Sequence, residues 1–99
     1  LELPELLEIA SRINELMKME LSNYSGSAQI SYPESPNPVC VIQLEGPYSV
    51  VFKFWANDEY AIEAFENCRN PELYSEQGVS GSAERAMGVF RDFFKTRSA

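Results

Sequence analysis

The sequence predicts an α+β fold with element order α-β-β-β-α-α: a three-stranded antiparallel meander with helices packed on one face. Three observations carry this. Apolar residues recur at three- and four-residue steps over residues 3–20, alternate with period two in three segments between residues 27 and 55, and return to helical spacing further on. The segments between these runs are rich in Pro, Gly, Ser and Asn, the residues that punctuate elements.

In the first helix Leu6, Ile9, Ala10, Ile13, Leu16 and Met17 form the apolar stripe, with Glu5, Glu8, Arg12, Glu15 and Lys18 on the other arc. Pro4 suits the first turn, where its missing N–H costs nothing. Glu8 and Arg12 are an i,i+4 pair in the favourable order. Ser22-Asn23-Tyr24-Ser25-Gly26 ends the period.

The strands follow at residues 27–32, 39–45 and 48–55. In the first, Ala28, Ile30 and Tyr32 alternate with Ser27, Gln29 and Ser31. In the second, Cys40, Ile42 and Leu44 alternate with Val39, Val41 and Gln43. In the third, Val50, Phe52 and Phe54 alternate with Val51, Lys53 and Trp55. β-Branched and aromatic residues at period two signal a half-buried sheet. Pro33, Pro36 and Pro38 fill the first connection, and Glu45-Gly46-Pro47 fits a hairpin.

Asn57 then reads as an N-cap, with Asp58 and Glu59 in the first turn of a helix to Arg69 whose inner face is Ala61, Ile62, Phe65 and Cys68. Asn70-Pro71 stops it. Residues 71–81 read as a linker with one helical turn near Glu72–Tyr74. Ser80 or Ser82 caps a last helix to Thr96, with Ala83, Ala86, Met87, Phe90, Phe93 and Phe94 facing inward. The expected core is Ile30, Ile42, Phe52, Phe54, Ile62, Phe65, Phe90 and Phe93.

The 99 residues fit one domain over 1–99. A start at Leu1 rather than Met fits a fragment with an upstream segment trimmed. Apolar residues are 44% and charged residues 23% of the chain, ordinary globular proportions that argue against disorder. The formal charge is -7, and an acidic chain repels phosphate backbones, which makes nucleic acid an unlikely partner. Arg91, Lys95 and Arg97 suit the C-terminal end of a helix, where the dipole favours cations. No apolar run reaches the length of a membrane span, and no signal peptide is visible, so the expected compartment is the cytoplasm. Asn23-Tyr24-Ser25 matches a glycosylation sequon by chance in that setting.

Two cysteines do not make a disulfide framework. Cys40 and Cys68 both fall on core-facing positions, so buried reduced thiols are expected; a disulfide would need strand and helix to bring them within bonding reach. With no histidine, the commonest general base, the commonest zinc ligand and every His-dependent triad are missing. Gly78-Val79-Ser80-Gly81-Ser82 lacks the lysine and spacing of a phosphate-binding loop and reads as a flexible linker with a cap. Glu59, Glu63 and Glu66 share a solvated helical face beside Asp58. The expectation is therefore no catalytic residue, no cofactor and no metal.

The α-β-β-β-α order resembles, at the level of topology, double-stranded-RNA-binding domains and some acidic secretion chaperones. The first would need a basic loop and a lysine-rich start to the second helix, where this chain has Asn57-Asp58-Glu59. The second fits acidity and dimerisation, and no motif carries it. Neither resemblance assigns a family, because topology does not transmit function.

Strand alternation leaves Val39, Val41, Val51, Lys53 and Trp55 on the face opposite Phe52. Contiguous apolar patches on such faces mark interfaces. The expected function is a non-enzymatic protein-interaction module that self-associates, as a homodimer, through that face, unless the last helix wraps round and covers it. Two alternatives stand beside it: an acidic inhibitor or nucleic-acid mimic in a basic groove, and a small-ligand binder or enzyme with a pocket under the last helix.

Overall fold

The computed structural model describes residues 2–65 and 72–97. The elements are α1 (Leu3–Met19), β1 (Ser25–Ser31), β2 (Val39–Glu45), β3 (Ser49–Trp55), β4 (Glu59–Phe65), β5 (Glu72–Val79) and α2 (Ala83–Arg97). The strands make one antiparallel sheet in the order β1-β2-β3-β4-β5, so every strand pairs with its neighbour in sequence. Both helices lie on one face. The meander and the one-sided helices agree with the sequence pattern. The strand count does not: the sheet has five strands where three were expected.

α1 starts with a reciprocal capping box. The Glu2 side chain takes the backbone N–H of Glu5, and the Glu5 carboxylate takes the N–H of Glu2 at 3.1 Å. Leu6, Ile9, Ala10, Ile13 and Met17 are buried on the sheet, as their spacing requires. α2 is capped by Ser82, whose Oγ accepts the N–H of Arg85 at 3.2 Å. All six apolar residues expected on its inner face are buried. Arg12 reaches past Glu8 to the other helix, where Nη1 meets Glu84 Oε1 at 2.6 Å. That pair is exposed, so it fastens α1 to α2 without carrying the fold.

The largest correction concerns residues 57–65. Ala56, Asn57 and Asp58 form a three-residue loop and residues 59–65 a strand, not a capped helix. Asp58 N–H donates to Trp55 O at 3.0 Å, and Asp58 then adopts φ 75°, the turn-plus-left-handed residue that closes three-residue hairpins. Asn57 Oδ1 does cap a backbone N–H, that of Glu59 at 3.1 Å, but in an Asx turn rather than at a helix start. The same side-chain chemistry serves both structures. In a strand, residues three apart point to opposite faces. Ile62 is therefore buried among the core residues, whereas Phe65 is half-buried on the opposite face and leaves the expected core. Ile42, Phe52, Phe54, Phe90 and Phe93 are buried as expected, and Ile30 packs against them partly buried. Glu59 and Glu63 are exposed on a strand, two positions from Ala61, and do not share a helical face. Glu66, Cys68, Arg69, Asn70 and Pro71 lie outside the described residues.

The expected linker at 72–79 is also a strand. β5 pairs with β4 from Glu59↔Val79 to Phe65↔Glu72, with a register irregularity at Ala64/Phe65. Gly78 has a specific place there. A Cβ at this position would sit 2.8 Å from the Tyr60 ring, so glycine lets the phenol lie across the strand. The Tyr60 hydroxyl then donates to Glu76 Oε2 at 2.5 Å. Ser80 ties the end of β5 to the β3–β4 turn: its N–H donates to Asp58 O at 2.7 Å, and its Oγ donates there at 3.2 Å.

Phe52 is fully buried at the centre of the inner face, with ring centroids of Phe90, Phe93 and Phe94 at 4.9, 5.4 and 5.9 Å. Phe52→Ala should therefore cost about 3–5 kcal/mol in chemical denaturation, the range for emptying a packed aromatic site. Gly88 sits inside α2, and a Cβ there would meet nothing within 4 Å. Gly88→Ala should raise stability by roughly 1 kcal/mol through helix propensity alone, read as a higher denaturant midpoint at unchanged slope.

Candidate interaction face

Strand register fixes what the uncovered face of the sheet presents. Across it run Ser31, Val39 and Trp55; then Gln29, Val41, Lys53, Ala61 and Gln77; then Ser27, Gln43, Val51, Glu63 and Ser75. A further row holds Ser25, Glu45, Ser49 and Phe65. The expected residues Val39, Val41, Val51, Lys53 and Trp55 do lie together on β2 and β3, on the face opposite the helices. α2 packs on Phe52, on the other side, and does not cover them.

The exposure of these five is not uniform. Val39 is only 6% exposed, flanked in register by Ser31 and Trp55. Val41, Val51, Lys53 and Trp55 are half-buried by their neighbours in the sheet. Ala61, Phe65 and Val79 join this face because β4 and β5 are strands, where the sequence pattern predicts a helix and a linker. Val79, in register with Glu59, is 69% exposed. The apolar band therefore runs across β2, β3 and β4, with serines and glutamines of β1 on one side.

Lys53 stands in the band with Ala61 as its register partner on β4, and Glu59 and Glu63 lie at the two diagonal positions. No ion pair joins Lys53 to another described residue. At the far end of the face an open groove of about 560 Å³ is lined by Ser25, Gln43, Glu45, Ser49, Val51 and Phe65. Inside it the Ser49 hydroxyl donates to Glu45 Oε2 at 2.6 Å. Among the described residues, Met87, Phe90, Phe93 and Phe94 of α2 join Phe52 in the buried cluster on the other side of the sheet.

The sheet's edges differ from its face. On β1 the Ala28 N–H donates to Asn14 Oδ1 of α1 at 3.0 Å, so the helix satisfies a group on the edge strand. On β5 Glu76 falls on the helix-side face, in register with Ile62, and carries a charge inward. Both are ways of blunting a strand edge.

Among the described residues no three His, Cys, Asp or Glu side chains are grouped to hold a metal ion, and no helix is long and apolar enough to cross a membrane. Compared with known proteins, the chain matches no family model, no curated protein and no solved structure.

Cys40 is fully buried and unpaired, and burial pushes its thiol up to about 12. A pKa raised on folding favours the native state below the unfolded value, and that contribution fades as pH climbs from there toward the folded value. Since the thiolate is the nucleophile, Cys40 should resist alkylation. In a Cys68→Ser variant at pH 8, iodoacetamide should leave the native chain unlabelled by mass and add one adduct after unfolding in denaturant.

Proposed function

We propose that this chain is a non-enzymatic, cytoplasmic protein-interaction module that self-associates as a homodimer through the uncovered face of its sheet. The observation that carries the reading is the apolar band of Val41, Val51 and Trp55 on a sheet face to which neither helix is applied. An antiparallel sheet with one solvated face ordinarily alternates apolar-in with polar-out. β1 obeys that rule, with Ser25, Ser27, Gln29 and Ser31 outward, whereas β2 and β3 break it. Apolar side chains left in water forgo the stabilisation that burial supplies, roughly 1.5–3 kcal/mol for each one fully buried. Lys53 is compatible with such a contact, because its stem can lie along the band while the ammonium reaches the rim.

Val41→Asp tests the reading. It should abolish association, seen by size-exclusion chromatography with light scattering, and leave the circular dichroism of a folded chain. A variant as associated as the parent would overturn the reading, as would a parent that is monomeric throughout. A monomer that captures basic partners and releases them with salt would instead fit the acidic-mimic alternative.

A further inference from the structure

We draw no further inference here: the strongest candidate, the apolar band of β2 and β3 on the outer sheet face with the open groove beside Phe65 at its end, carries nothing beyond the self-association already proposed, because nothing in the structure shows what covers it.

Discussion

The structure depends on the burial of one aromatic side chain, Phe52, in the middle strand of the sheet. Its register partners are Ile42 on β2 and Ile62 on β4, and the Phe90, Phe93 and Phe94 rings of α2 close over it. Those contacts require β4 to be a strand, since only period two delivers Ile62 and Ala64 to the same side as Phe52. They also require α2 to return across the sheet, which the Ser80–Asp58 hydrogen bonds and the Ser82 cap arrange. α1 completes the layer from the β1 side, where Leu6, Ile9 and Ile13 join the same cluster. With both helices committed to this face, neither remains for the other.

This explains which parts were readable from sequence. α1, β2, β3 and α2 carry long, one-sided apolar patterns, and their inner faces followed directly. β4 did not, because Tyr60-Ala61-Ile62-Glu63-Ala64-Phe65 holds apolar residues on both faces of a strand and also at helical spacing. Alanine and glutamate favour helix, and Asn57-Asp58 imitates a cap. The deciding factor was tertiary: β3 needed a second pairing partner, a requirement invisible in a local window. β5 was harder still, being an edge strand with Ser75, Gln77 and Gly78 where a central strand would hold branched residues. The candidate face was legible where β2 and β3 were, through Val41, Val51, Lys53 and Trp55. Its continuation to Ala61, Phe65 and Val79 was hidden with the strands that carry them.

The proposed interaction rests on how side chains are distributed over the outer face. The sequence holds no histidine, and the one described cysteine is a buried neutral thiol. What distinguishes the molecule is distribution: on the open face the apolar groups of β2 and β3 lie between the serines and glutamines of β1 on one side and, on the other, Glu59 and Glu63 of β4 with Ser75 and Gln77 of β5 beyond them.

The bond from the Ala28 amide to Asn14 bears on growth as well as stability. A sheet with a bare edge recruits strand after strand and has no natural end, giving fibres. Here α1 occupies a donor on the first strand, and the last strand turns a carboxylate inward. The self-association proposed for the face, if closed by a twofold axis, would use the same surface on both copies and be exhausted once made. The polar residue that interrupts the amphipathic helix thus bears on whether copies of this chain accumulate as a finite particle or as an unending ribbon.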